Sequence, residues 1–359
     1  MADARTPVDE RTQYGGQAVV EGVMMRSPRF FAVACRKLSS GEIVVRLEPV
    51  EKHLRGFQWL NRPFLRGSLA LVDAMALGIK ALTYAANVQA TDGPRAAETE
   101  AAPASSLNLA LGEGVAEKTT EKTKSPDGTI NGIAIGLTTV VSLVLGFGLF
   151  WTFPALLTDR LLPTHGLAHG RLVSNLAEGA IRLAIFFLYI GLISRMAHIQ
   201  RVFQYHGAEH KAINTLESGL PVTLENARAA SRIHPRCGTN FIVLVLLTSV
   251  VVFSVVPRHS FHEGILPVLE TVGLRLLLLP VVAGIAYEIL KWAGANRDKA
   301  WAQALIAPGL RTQYLTTRVP DDSQIAVAIA ALDAVWAEEH AGPRLAPDSP
   351  EAEPAAAVA

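Results

Sequence analysis

The chain has 359 residues, half of them apolar, and its 33 Lys and Arg stand against 32 Asp and Glu. A balance so near neutral leaves no electrostatic footprint for nucleic acid or for an acidic partner. The apolar residues are gathered into long runs, and a run of about 20 is what a bilayer-spanning helix needs.

The opening "MADARTPVDERTQYGG" has no apolar core of the kind a signal peptide carries. "GGQAVVEGVMMRSP" (residues 15–28) follows, with Glu21 and Arg26 as its only charges; it lacks the G-x-x-x-x-G-K-[ST] spacing of a phosphate loop and reads as a tight turn packed on Met24 and Met25, or as a loop lending Glu21 or Arg26 to a site. Two β-rich runs flank Ser39-Ser40-Gly41-Glu42, which predicts a hairpin in a small cytoplasmic β-containing region. Arg66 to Val88 has helical periodicity interrupted by Asp73 and Lys80, which suits a helix at the membrane interface better than an easy span. Residues 1–90 are therefore expected to form a cytoplasmic β-hairpin region plus an interfacial helix. Residues 91–128, rich in Ala, Glu, Thr, Lys and Pro, have little to bury and read as a flexible linker.

A four-helix transmembrane domain is expected over residues 129–292. Its spans are Ile130–Thr158, which carries no charge, Val173–Ser194, Cys237–Pro257 and Ile265 to Leu290. The second and fourth each hold a Glu and an Arg near their start, Glu178 with Arg182 and Glu270 with Arg275; such charges either reach the headgroups or form a polar cluster in the outer half of the bundle. Lys and Arg accumulate between the second and third spans and after the fourth, so the positive-inside rule puts the central loop and both termini in the cytoplasm. Cys35 and Cys237 both fall on that side and are expected as free thiols.

Residues 293–340 should form cytoplasmic helices. The first is expected over Asp298 to Ile306, stopping before Pro308-Gly309; the second is capped by Asp321 or Asp322 and buries Ile325, Ile329, Leu332 and Trp336. The tail, 341–359, is of low complexity and is expected to be disordered. The fold class is thus mainly α, a polytopic membrane protein with about four transmembrane helices.

The chemistry concentrates in "QYHGAEHKAI". On a helix His206 and His210 lie about 40° apart on one face, with Glu209 about 60° to the side. Two imidazoles can then meet one cation with a carboxylate beside it. The order H-x-x-E-H is that of the inverzincin metalloproteases. "SRIHPRCGTN" brings His234 and Cys237 to the start of the third span, at the membrane depth where His206 and His210 leave the second. His and thiolate ligands suit zinc, and a catalytic zinc keeps three protein ligands and an open position. The alternative is a hydrogen-bonded junction between helix ends. Glu217 lies about 10 Å beyond His210 along a straight helix and should not reach the same ion.

With "GGQAVVEGVMMRSP", "RGSLALVDAMALGIKAL", "FQYHGAEHKAINTLESG", "SRIHPRCGTNFIVLV" and "PGLRTQYLTTRVPDDSQIAVAIAAL" in order from about residue 14 to 335, the chain resembles the YqhQ-like family of bacterial polytopic membrane proteins. The resemblance implies metal dependence resting on His206, Glu209, His210, His234 and Cys237, and supplies no reaction. The expected activity is a zinc-dependent membrane hydrolase with Glu209 as general base and His206, His210 and His234 or Cys237 as ligands, acting at the inner leaflet on a peptide or lipid-linked group. The competing expectation is a scaffold or assembly factor with a structural metal. A transporter ranks behind both. Expected partners are the lipid bilayer of the bacterial inner membrane and membrane proteins or further copies of the chain.

Overall fold

The structure, a computed structural model, describes residues 14–50, 62–92, 141–162, 170–256 and 265–341, with 65, 143 and 297 excepted. The expected linker beyond Asp92, most of the tail and residues 130–140 of the first expected span lie outside the described residues.

Four antiparallel strands form a meander in chain order: β1 (Gly15–Val19), β2 (Gly22–Arg26), β3 (Phe30–Arg36) and β4 (Ile43–Pro49). The expected turn at Ser39 to Glu42 joins β3 to β4, with Gly41 at φ +70°. The glycine-rich stretch before it is itself a hairpin. Val19 pairs with Gly22, so Val20 and Glu21 alone make the turn, and Glu21 sits at φ +52°. A two-residue hairpin loop favours positive φ because that twist matches the strands, and a non-glycine residue there carries strain. Glu21 is held by Arg201, which donates through Nε and Nη2, and by the Tyr205 hydroxyl at 3.1 Å.

Period-2 alternation gives the sheet two buried faces. Met24, Phe31, Val33 and Cys35 face helix α1 (Arg66–Asp92) through Leu77, Ala81 and Ala85. Val23, Met25, Ala32 and Ala34 face α4 (Ala197–Glu217) and α9 (Asp322–His340). Asp321 caps α9 in a capping box with Gln324, and Ile325 and Leu332 of the expected stripe are fully buried, while Ile329 and Trp336 are partly so.

The remaining helices are α2 (Phe153–Leu161), entered through a π-helical turn at Gly148–Thr152, α3 (Gly170–Ile193), the short α5 (Leu224–Ala229), α6 (Gly238–Ser254), α7 (Ile265–Ala295) and α8 (Ala300–Thr316). Among the described residues three helices are long and apolar enough to cross a membrane, Arg66–Asp92, Leu172–Ile193 and Leu269–Ala295; α6 is equally apolar but has 17 residues. The interfacial segment thus proves as long and apolar as a span, because Asp73 and Lys80 are its only charges between Ser68 and Ala90. Its first turn is tied to α7 by a bidentate Arg66–Glu288 pair, and its later turns cover the sheet.

The expectation that a helix stops before Pro308 is corrected. α8 continues through Pro308 to Thr316. Proline removes one i to i−4 bond and crowds the preceding turn, and packing of α8 along α6 through buried Gly309, Thr312 and Gln313 outweighs that cost.

A His–His–Cys cluster between sheet and membrane helices

The site forms where α4, strand β1, the segment 232–237 before α6, and the end of α8 meet. His206 and His210 stand one turn apart on α4, as the spacing requires, with ring centroids 4.4 Å apart. Cys237 is the N-cap of α6, its Sγ taking a 3.4 Å hydrogen bond from the Thr239 amide. That places the thiol at the positive end of a helix dipole, which favours an anion. The ligand atoms of His206, His210 and Cys237 all lie within 4.8 Å of one another, and His206 Nε2 is 3.2 Å from Cys237 Sγ.

The other ring nitrogens decide what these histidines can do. His206 Nδ1 is 2.9 Å from the Thr316 carbonyl, and His210 Nδ1 is 2.6 Å from the Arg232 carbonyl. A carbonyl only accepts, so in each neutral ring Nδ1 carries the hydrogen and Nε2 presents a lone pair. Backbone carbonyls fix the tautomer of metal-binding histidines in the same manner. Burial, foremost, and the neighbouring His206 hold His210 below the ordinary imidazole range, so it stays neutral. Its Nε2 is buried with no hydrogen-bond partner among the described residues.

Glu209 turns toward the sheet. Its carboxyl lies on the backbone of Gly16, where a Cβ would stand 2.9 Å from both Cγ and Cδ. Among the described residues, its Oε2 is buried without a hydrogen-bond partner. Burial pushes the carboxyl up to about 8, against the pull of His206 and of the Gly16 amide. A carboxyl that titrates near neutrality can both take and return a proton.

His234 lies beside the cluster and faces away from its centre. Its ring is 5.7 Å from that of His210, while its Nε2 is 3.4 Å from the Glu217 carboxylate, which also pairs with Arg236. Of the four candidate ligands, His206, His210 and Cys237 converge on one point and His234 does not. Glu217 stays away from that point, as the helical spacing required.

Several residues that hold the site gave no sign in the sequence pattern. Gln313 accepts from the His234 amide at 2.9 Å and donates to its carbonyl at 2.8 Å, tying the 232–237 segment to α8. Gly207, which weakens a helix on propensity alone, lets the chain after α8 pass against α4: the Arg318 amide donates to the Phe203 carbonyl at 2.8 Å, and a Cβ on Gly207 would stand 2.1 Å from the Arg318 oxygen. The one available signal was that Gln313 and Thr316 fall in "PGLRTQYLTTRVP", a stretch the family resemblance rests on.

The donor set fits a transition metal. With Zn–N near 2.0 Å and Zn–S near 2.3 Å, neighbouring ligand atoms of a tetrahedral ion are about 3.3–3.8 Å apart. Two neutral Nε2 atoms and a thiol sulfur in the spacing found here reach that with small side-chain adjustments.

Fold and site together give a mainly helical protein with three candidate membrane-spanning helices among the described residues, whose N-terminal sheet packs over a largely buried cluster of two histidines, a cysteine and a glutamate. Residues 62–338 match the family described as "Protein of unknown function (DUF1385)", and the chain belongs to that family. It is 32% identical over 321 residues to "Uncharacterized protein YqhQ" of Bacillus subtilis (strain 168), an alignment covering 89% of this chain and 91% of the relative. No solved structure matches.

Proposed function

We propose that the protein is a metal-dependent membrane enzyme, a hydrolase whose site lies at the cytoplasmic face of a bacterial inner membrane. The observation that carries this reading is the pair of carbonyl contacts at His206 and His210 Nδ1, which turns both Nε2 lone pairs toward the Cys237 sulfur. Three ligands of the zinc-binding type, with an unpartnered carboxylate oxygen of Glu209 beside them, are the elements of an open catalytic site. A bound zinc would supply Lewis-acid polarisation of a carbonyl or phosphoryl oxygen. Glu209 would take the proton of the attacking water and return it to the leaving group.

The membrane placement rests on the apolar helices and on the bias of Lys and Arg to the central loop and the flank of α7. Four spans with both termini cytoplasmic follow if α6 and the helix entering α2 cross alongside α3 and α7. The site at the start of α6 is then reached from the inner leaflet, which favours a membrane peptide or a lipid-linked group as substrate.

Elemental analysis of detergent-purified protein should find about one zinc or other transition metal per chain, lost from a His206→Ala, His210→Ala double variant. Glu209→Gln should keep the metal and lose turnover on membrane peptides or lipid-linked substrates; full turnover in that variant would remove Glu209 from the mechanism. The extent of burial and the Gln313 clasp favour a second reading, a structural metal in a scaffold. On that reading loss of any ligand lowers abundance and stability, and no turnover depends on Glu209.

A further inference from the structure

A second buried cluster lies at the far end of α6 from the histidines, where the chain's use of charge is unbalanced. The 17 residues of α6 rise about 25 Å, close to the thickness of a bilayer's hydrocarbon layer. At that end Glu178 accepts from Arg182 Nη2 and from Arg275 Nη1, each at 2.5 Å, and from Arg275 Nη2 at 3.2 Å. Among the described residues Glu178 is the only carboxylate that either guanidinium touches. Glu178, Arg182 and Arg275 are 1%, 8% and 5% exposed.

Two further acceptors meet the guanidiniums among the described residues, the Phe150 carbonyl and Asn175. Pro154 has no N–H to give the Phe150 carbonyl four residues back, and Arg182 Nε takes that carbonyl at 2.9 Å. Asn175 Oδ1 accepts from Arg275 Nη2 at 3.2 Å, and its Nδ2 donates to the carbonyls of Ser254 and Val256 at the end of α6. Arg182 lies over the Trp151 ring and Arg275 over the Phe253 ring, which spread positive charge without neutralising it. Arg275 Nε is left buried with no hydrogen-bond partner among the described residues. Among the described residues, two guanidiniums against one carboxylate leave a net positive charge in an apolar surrounding, a costly arrangement unless an anion completes it.

We propose that Arg182 and Arg275 bind one phosphate group at the membrane face opposite the histidine cluster. Planar guanidiniums with donors to spare match phosphate oxygens. The group can be the headgroup of an anionic phospholipid or free phosphate, and the assignment stands or falls independently of the metal reading.

The full chain in phosphatidylcholine nanodiscs is heated with inorganic phosphate, with chloride at matched ionic strength, and with phosphatidylglycerol added to the bilayer. A saturable rise in unfolding temperature with phosphate assigns the free anion; a rise with phosphatidylglycerol alone assigns the headgroup. Two near-isosteric variants then move the response in opposite directions. Glu178→Gln removes the competing carboxylate and should tighten binding by about tenfold or more, whereas Asn175→Asp supplies a second carboxylate beside Arg275 and should abolish it. Either variant, if folded, is decisive. No saturable response to either probe in the unaltered protein, or a response that the folded variant leaves unchanged, overturns the proposal.

Discussion

Gly207→Ala is the substitution for which simple propensity and the packing of the site give opposite answers. In an exposed helix interior, alanine in place of glycine stabilises by about 1 kcal/mol. At this position the new Cβ would stand 2.1 Å from the Arg318 carbonyl oxygen and 3.3 Å from Pro320 Cδ. Restoring an ordinary contact of about 3.5 Å requires the segment after α8 to move away from α4 by more than about 1 Å. Overpacking of this kind costs about 1–3 kcal/mol, and loss of the Arg318 to Phe203 backbone bond adds about 1 kcal/mol. The helix-propensity gain offsets about 1 kcal/mol, so the net change is a destabilisation of about 1–3 kcal/mol. The same displacement pulls the Thr316 carbonyl, two residues earlier, away from His206 Nδ1. Thermal unfolding in detergent should therefore show a lower Tm for Gly207→Ala, and metal affinity should fall with it. A Tm equal to or above that of the unaltered protein would refute the close-approach explanation and leave Gly207 as an ordinary helical glycine.

Three further outcomes are expected. In chelator-treated protein, Glu209 is pushed up to about 8 from an unfolded value near 4.5; the folded state holds the proton more tightly, so stability falls as pH rises through that window, by at most about 1.4 kcal/mol per pH unit. Glu209→Gln should flatten the profile between pH 5 and 8, and parallel unfolding curves for the two proteins would contradict it. Gly16→Ala puts a Cβ 2.5 Å from the Met24 carbonyl and 2.9 Å from the Glu209 side chain, so it should lower Tm by an overpacking cost of about 1–3 kcal/mol and reduce any Glu209-dependent turnover. Cys35 is fully buried, and burial together with the nearby Glu21 pushes its thiol up to about 12; mass spectrometry after maleimide treatment at pH 8 should find it unmodified until the protein is denatured.

Most of the elements follow from local sequence alone. Long apolar runs can only be buried in a bilayer or a core, so α3 and α7 were legible; the turn chemistry of Ser39 to Glu42 and the cap at Asp321 act within a few residues, so the β3–β4 hairpin and the start of α9 were legible as well. Helical spacing alone fixed that His206 and His210 share a face and that Glu217 lies beyond reach. Tertiary structure decided what local rules cannot carry. Propensity stops a helix at Pro308, and packing along α6 carries it on. The glycine-rich stretch became a hairpin because β2 finds a partner on each side. His234 was separated from the His206, His210 and Cys237 cluster by Glu217, and the tautomers of His206 and His210 were set by carbonyls 110 and 22 residues away in the chain. Sequence spacing fixes angles around one helix axis; the direction in which a ring nitrogen points depends on the acceptors that other elements bring to it.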